Sequence, residues 1–337
     1  MKAVYVKEFG GAENLEIREV ENPPAPKGTE VLVKVKAAAL NRADLLQRTG
    51  KYPAPAGFPE RILGLEFAGE VSDAGERVKK FKAGMRVFGV TAGGAQAEFL
   101  LTDETLLANI PDNLSLTEAA GVPEVFMTAN DAIFTNGKLK ENETLLIHAV
   151  GSGVGLAALQ LAKARGATVI GTSRTAEKLL KANEFGLDSA IVMSDLIDLS
   201  KDKNPRYFAE LIEAQTNGKG VDVILDLVGA KYFEANVESL NLKGRIIFVG
   251  TTSGALAELN ISKIMAKRAH LIGTVLRSRS VREKAAATRK FADEVVPLLA
   301  SGKVKPNIDR VFKAAEIRAA HEYLESNASF GKIVLEF

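Results

Sequence analysis

The sequence predicts an α/β protein in which a doubly wound parallel sheet is joined to a second, mostly β domain. Three observations predict it. Residues 144–155, TLLIHAVGSGVG, read as a buried strand running into a glycine turn, and residues 156–165, LAALQLAKAR, continue as an amphipathic helix. Strand-like and helix-like runs alternate from about 122 to 265, the pattern of a parallel sheet with crossover helices. Residues 1 to about 120 hold short strands between proline- and glycine-rich loops, as a β domain does.

In the first stretch the strand-like segments are 3–6, 30–36, 66–71, 86–90 and 98–101, and ENPPAPKG at 21–28 and KYPAPAGFP at 51–59 mark long loops. Ser115-Leu-Thr-Glu118 is a capping box that opens the helix leading into the next domain. There, strands are expected at 145–149, 168–171, 190–193, 221–227 and 245–249, with helices at 154–165, 176–185, 206–215 and 232–240. One long helix at 282–301 and a final strand in GKIVLEF at 331–337 follow. A single late strand needs a partner sheet, and the N-terminal β domain is the expected host. The expected division is therefore 1–121 with 266–337, and 122–265.

The glycines at 151, 153 and 155 would let the backbone turn sharply and let a pyrophosphate approach the main chain. The helix N-terminus adds free N–H groups and a partial positive charge. The spacing is G-x-G-x-G rather than the full G-x-G-x-x-G, so a plain strand–helix turn is the competing reading. In a dinucleotide-binding unit a carboxylate about 20 residues past the glycines holds the ribose 2′-hydroxyl of NAD. Here Ser173 and Arg174 stand at that strand end, with Lys178 in the first turn of the next helix. A lysine there opposes the helix dipole unless an anion is near, and a ribose 2′-phosphate is such an anion. Solvated surface cations are the bland alternative; the expectation is NADPH.

Composition fits a soluble two-domain enzyme. The chain has 337 residues, 46% hydrophobic and 26% charged, with 44 Lys plus Arg against 42 Asp plus Glu. The net charge of +2 points to neither nucleic acid nor a membrane surface, and a cytoplasmic location is expected. No cysteine is present, which removes disulfides, a thiol nucleophile and thiolate metal ligands. The N-terminus reads as a first strand rather than a signal peptide, and no apolar run reaches membrane-spanning length.

The ordered segments LNRAD at 40–44, GKYP at 50–53, GLE at 64–66, PEVFMTA at 123–129, VILDLVG at 223–229 and LRSR at 276–279 carry a resemblance that covers essentially the whole chain. It resembles the medium-chain dehydrogenase/reductase superfamily, in its zinc-free quinone oxidoreductase (zeta-crystallin-like) branch. The resemblance implies a Rossmann domain and a mostly β GroES-like catalytic domain. Where zinc alcohol dehydrogenases place Cys and His ligands, this chain has Asn41 and Leu65, neither of which replaces thiolate or imidazole; no metal is expected. His148, His270 and His321 are read as structural.

The resemblance implies that Asn41, Asp44 and Tyr52 line the nicotinamide region, and these are the candidate catalytic residues. The Tyr52 phenol would donate to a developing oxyanion, with packing beside Pro53 the alternative. Thr128 would contact the carboxamide, and Val249, Gly250, Thr251, Thr274, Leu276 and Arg277 would follow the nicotinamide half. Ser152, Gly153 and Val154 would meet the pyrophosphate, while Ser173, Arg174, Lys178 and Asn327 would lie towards the adenine-ribose end. Asn130 and Met193 depart from the family pattern, Met193 in place of a tyrosine. The expected reaction is NADPH-dependent reduction of quinones or electron-poor enones. Alternatives are an enoyl-thioester reductase and a crystallin-like or RNA-binding role, the latter disfavoured by the near-neutral charge. A homodimer is also expected, because the apolar IIFVG at 246–250 is read as ending the parallel sheet, with 251–260 as a short segment at an exposed edge.

Overall fold

A computed structural model describes residues 1–195 and 204–337, and the chain forms two compact units, Met1–Met127 with Leu276–Phe337, and Thr128–Val275. The first begins with strands β1 (Lys2–Val6), β2 (Leu15–Glu19) and β3 (Glu30–Ala39), helix α1 (Arg42–Arg48), and strands β4 (Glu66–Ala74), β5 (Arg86–Val90), β6 (Phe99–Asp103) and β7 (Leu107–Asn109). Helices α2 (Leu116–Ala120) and α3 (Pro123–Asn130) follow. β3 shows why these segments are strands. Val31, Val33 and Val35 are buried while Lys34 is exposed, the period of two that puts alternate side chains on opposite faces. The Ser115–Glu118 capping box is present at the start of α2.

The second unit runs β8 (Thr144–Ile147), α4 (Gly153–Ala164), β9 (Thr168–Ser173), α5 (Ala176–Ala182), β10 (Ser189–Val192), α6 (Asn204–Gln215), β11 (Val221–Asp226), α7 (Phe233–Ser239), β12 (Leu240–Phe248), α8 (Ile261–Lys267) and β13 (His270–Gly273). Its strands are all parallel in the order β10-β9-β8-β11-β12-β13. The order reverses between β8 and β11, and in such sheets ligands bind beyond the carboxyl ends of the strands at that switch point. Leu146, Ile170, Phe208, Ile212, Ile224 and Ile246 form its core.

The chain then completes the first unit with α9 (Val281–Glu294), α10 (Val296–Ala300), β14 (Ile308–Lys313), α11 (Ile317–Glu325) and β15 (Lys332–Glu336). β15 pairs antiparallel with β3, Val334 opposite Ala39, so the N-terminal sheet hosts the C-terminal strand. α11 buries Ile317, Ala320, His321 and Leu324, the i, i+3, i+4, i+7 stripe of an amphipathic helix.

Four expectations need correction. The helix expected at 282–301 is two helices, because Pro297 lacks an N–H and its ring clashes with the carbonyl four residues back; it sits in the first turn of α10. The late strand is not single, since β14 lies parallel to β15. Asp309, Arg310 and Val311 are all exposed, so β14 lacks the alternation that marks a strand. The strand at 245–249 begins earlier, at Leu240, where a helix was expected to end. Finally, β12 is not the sheet edge. β13 covers it, and 251–260 contains no strand.

Candidate functional site

Each unit carries a cluster of polar groups that nonpolar packing alone does not explain. In the second unit it surrounds the glycine turn. Ala149, directly after His148, has φ +52°, a left-handed conformation that costs a residue with a Cβ roughly 1–2 kcal/mol. A Cβ on Gly155 would lie 2.6 Å from the Val150 carbonyl oxygen, so only glycine lets α4 approach the turn this closely. The Ser152 hydroxyl caps α4 by accepting from the Gly155 N–H at 3.1 Å, leaving its own O–H to donate. Ser152, Gly153 and Val154 are partly exposed, and the first N–H groups of a helix have no carbonyl one turn before them.

A buried relay holds this strained turn. His148 and Asp226 are 0% exposed. Asn236 Nδ2 donates to Asp226 Oδ2 at 3.0 Å, so its Oδ1 faces His148 Nε2 at 2.6 Å. The Nε2 therefore carries the proton, and Nδ1, 2.9 Å from Thr172 Oγ1, accepts from the threonine. Burial lowers the His148 pKa, against the attraction of Asp226, which suits this neutral tautomer. Asp226 Oδ1 accepts from the Val228 and Gly229 N–H groups at 2.7 and 2.8 Å. Its backbone carbonyl accepts from Val249 at 2.9 Å and Gly250 at 3.3 Å. One aspartate thus shapes the loops after both β11 and β12. A Cβ at Gly250 would meet the Leu227 carbonyl oxygen at 2.6 Å, which requires glycine there too.

Within this unit the structure brings Ser173, Arg174 and Lys178 together at the β9–α5 junction. Ser173 is buried, its Oγ accepting from the Thr175 N–H at 3.4 Å, while Arg174 is exposed and Lys178 partly so. No carboxylate stands at the end of β9. Val249, Gly250 and Thr251 lie on the loop after β12, and Thr274 donates to Asp131 Oδ2 at 3.1 Å. Thr128 lies on α3 and is partly exposed. Asn130 is 2% exposed, and Met193 is packed in the core with Phe208.

The cluster of the first unit is charged. Lys332 Nζ donates to the Leu40 carbonyl at 2.6 Å and to Asn41 Oδ1 at 2.8 Å, and pairs with Glu66 Oε1 at 2.7 Å. Glu66 also accepts from Asn41 Nδ2 at 2.9 Å and from the Glu124 N–H at 2.8 Å. The Asn41 amide is thus fully engaged by a buried ion pair. Asp44, 0% exposed, accepts from the Asn41 N–H at 2.7 Å and the Gly64 N–H at 3.0 Å. Burial pushes its pKa up to about 6 despite those bonds and the nearby Lys332 and Arg277.

Arg277 is buried and reaches three partners: the carbonyls of Ala92 and Tyr52, each at 2.9 Å, and Gln47 Oε1. Its guanidinium covers the Tyr52 ring at 4.7 Å, so a cation stands above the face of Tyr52. Burial raises the Tyr52 pKa, opposed by Arg277 and assisted by Glu124. Leu276 is buried beside Arg277. Asn327 lies past α11 with φ +61°, accepting from Arg42.

Glu66, Glu124, Lys284 and Lys332 were not among the expected site residues. Glu124, at the start of α3, is raised to about 8 by burial and by Glu66 and Asp44, against Lys332 and Arg277. Lys284 of α9, 3% exposed, lies over the Phe58 ring at 5.4 Å, and burial lowers its pKa. No group of three or more His, Cys, Asp or Glu placed to hold a metal occurs among the described residues. No helix there is long and apolar enough to cross a membrane.

Comparison with known proteins agrees with this architecture. Residues 27–112 match the alcohol dehydrogenase GroES-like domain, and 153–293 match the zinc-binding dehydrogenase family. A quinone oxidoreductase of Pseudomonas aeruginosa is 33% identical over 99% of both chains. The structure of Escherichia coli quinone oxidoreductase complexed with NADPH superposes with a TM-score of 0.86, at 30% identity, over 100% of both chains. An acryloyl-coenzyme A reductase of Metallosphaera sedula is 30% identical over 99% of both chains.

Proposed function

This chain belongs to the quinone oxidoreductase group of the medium-chain dehydrogenase/reductase superfamily, and on that premise we propose that it reduces quinones or related electron-poor enones with NADPH. The observation that carries the reading is the β9 end. Ser173 and Arg174 stand there in place of a carboxylate, Lys178 follows, and the glycine turn lies on the adjacent strand β8. That set favours a 2′-phosphate over a bare 2′-hydroxyl. Bound NADPH supplies a hydride from nicotinamide C4.

The protein's part is binding and orientation. Ser152, Gly153 and Val154 receive the pyrophosphate at the α4 N-terminus. Ser173, Arg174 and Lys178 neutralise the ribose phosphate, with Asn327 assigned to the same end. Thr128, Val249, Gly250, Thr251, Thr274, Leu276 and Arg277 are assigned to the nicotinamide half. Asn41 and Asp44 act by position, since their polar atoms are bonded within the protein, whereas the Tyr52 phenol offers a hydrogen bond to the acceptor.

We assign a metal-free reaction, because Asn41 is committed to Glu66 and Lys332, and Leu65 has no ligand atom. A homodimer is proposed through the β13 edge, where Leu256 is 93% and Met265 70% exposed, with Leu259, Ile261, Leu271 and Val275 also exposed. An open edge flanked by apolar residues favours self-pairing. Light scattering at micromolar concentration tests it; a monomer rules it out. Similarity to an acryloyl-coenzyme A reductase supports a second reading, enoyl-thioester reduction. Oxidation of NADPH by 2-methyl-1,4-naphthoquinone and by crotonyl-coenzyme A, compared side by side, decides between them. Faster turnover of the quinone is expected.

A further inference from the structure

The Tyr52 phenol stands on residues 51–60, a segment with neither helix nor strand. Pro53, Pro55 and Pro59 interrupt it, and proline has no N–H to donate. What holds such a loop must come from outside it, and two buried side chains do so. Gln47 of α1 is 1% exposed and Arg277 5%.

Gln47 Nε2 donates to the Glu60 carbonyl at 2.9 Å and to the Pro59 carbonyl at 3.5 Å. Its Oε1 accepts from Arg277 Nη2, and Arg277 Nη1 donates to the Tyr52 carbonyl at 2.9 Å. The amide can stand only this way round, because a guanidinium donates and never accepts, whereas a carbonyl only accepts. One side-chain pair therefore ties the two ends of the loop together, Tyr52 through Arg277 and Glu60 through Gln47.

The pair is anchored in turn. Arg277 Nε donates to the Ala92 carbonyl at 2.9 Å, on the chain after β5. That chain lies close against the loop: a Cβ on Gly93 would stand 3.3 Å from the Pro59 carbonyl oxygen and 3.6 Å from the Phe58 Cβ. Arg277 also covers the Tyr52 ring, so it holds the tyrosine by main chain and by ring. The three nitrogens of the fork reach three separate segments, which a lysine, with one nitrogen, does not reproduce. Buried amide and guanidinium groups are costly unless bonded, so the loop cannot leave this position without stranding both.

We propose that Gln47 is a positioning residue of the reductase: it fixes residues 51–60 at both ends and so holds the Tyr52 phenol where the acceptor oxygen meets it. This rests on the reductase reading above. Gln47 neither gives nor takes a proton in the reaction; it acts through Tyr52.

A double-mutant cycle on the full chain tests this, with NADPH and the enone 3-buten-2-one, for wild type, Gln47→Met, Tyr52→Phe and the double variant. Methionine is close to glutamine in length and has no donor. Gln47→Met is expected to lower kcat several-fold, within the roughly tenfold of Tyr52→Phe. In the Tyr52→Phe background it should add almost nothing, because groups that act through one another are not additive. Equal fold losses in the two backgrounds, as from a merely structural role, would overturn the proposal. A second readout needs neither cofactor nor acceptor. Lys51 is exposed, and tryptic cleavage of the apoprotein after it, followed by mass spectrometry, should run roughly tenfold faster in Gln47→Met. Cleavage after Lys219, exposed in the second unit, should stay unchanged as the control for global unfolding. An unchanged rate at Lys51 overturns the clamp. If Gln47→Met does not fold, Gln47→Glu, which keeps an acceptor for Arg277 and gives up the donors, replaces it in both measurements. A wild type that reduces neither this enone nor 2-methyl-1,4-naphthoquinone would instead overturn the reductase reading; the Lys51 cleavage rate then still decides whether Gln47 holds the loop.

Discussion

The two units bury polar groups in opposite ways. In the second, His148, Asn236, Thr172 and Asp226 satisfy one another as a relay whose histidine is neutral. In the first, the Glu66–Lys332 pair is buried and charged, and it engages the Asn41 amide. A closed network fixes a shape, here the strained glycine turn and the loops after β11 and β12. A charged one costs more to open, because either ion left alone stays buried. A polar residue's burial is therefore less informative than whether its bonds close within the protein.

The largest effect should come from opening the charged pair. Lys332→Met leaves Glu66 buried without its cation and frees the Asn41 amide. Loss of one partner of a buried pair costs about 3–5 kcal/mol, so a marked fall in the denaturation midpoint is expected; an unchanged midpoint would mean that the pair is solvated. Opening the neutral relay should cost less. Asn236→Ala strands the His148 N–H and one Asp226 oxygen, for about 1–3 kcal/mol per buried group left unsatisfied. It should also weaken dinucleotide binding, measured by calorimetry, because Asp226 then holds the Val228 and Gly229 amides less firmly.

Opposite pH dependences sharpen the contrast. The His148 pKa is depressed in the folded state, so its contribution to stability is present above the ordinary histidine value of 6.5 and fades as pH falls below it. Glu124 is raised from 4.5 to about 8, so its contribution is present below pH 4.5 and is lost as pH rises through 8. Thermal denaturation between pH 5 and 9 should show Glu124→Gln gaining on wild type towards alkaline pH only. A constant difference across the range would contradict the raised pKa. Smaller still is the expected effect of Tyr52→Phe, roughly tenfold in turnover and larger for enones than quinones, with NADPH affinity kept. Chelators should leave activity intact, and metal analysis finding about one zinc per chain, lost with activity, would refute the metal-free reading.

How much could be read from the chain follows the same division. The glycine turn, the β9 end with Ser173 and Arg174, and the parallel order of the sheet are local patterns, and local patterns survive in a one-dimensional reading. The closed relay was half visible, since His148 in a buried strand reads as structural, although its partner Asn236 lies 88 residues away. The charged cluster was visible only in part: Asn41, Asp44 and Arg277 stood among the expected residues, and the partners Glu66 and Lys332 did not. Lys332 sits in GKIVLEF, where a lysine reads as the outward residue of a strand, and it reaches Asn41 across 291 residues. Lys284 lies on a helix rich in charge, where it resembles a solvated face. β14 escaped for a related reason, because its exposed centre hides the alternation.

The central claim, that this enzyme spends NADPH rather than NADH, is tested most directly by calorimetric titration of both cofactors into wild type and Arg174→Ala. A charge-assisted bond to the 2′-phosphate contributes about 1.5–3 kcal/mol. The variant should therefore bind NADPH about ten- to a hundredfold more weakly and NADH as well as wild type does. Equal losses for the two cofactors, or a wild type that prefers NADH, would contradict the account.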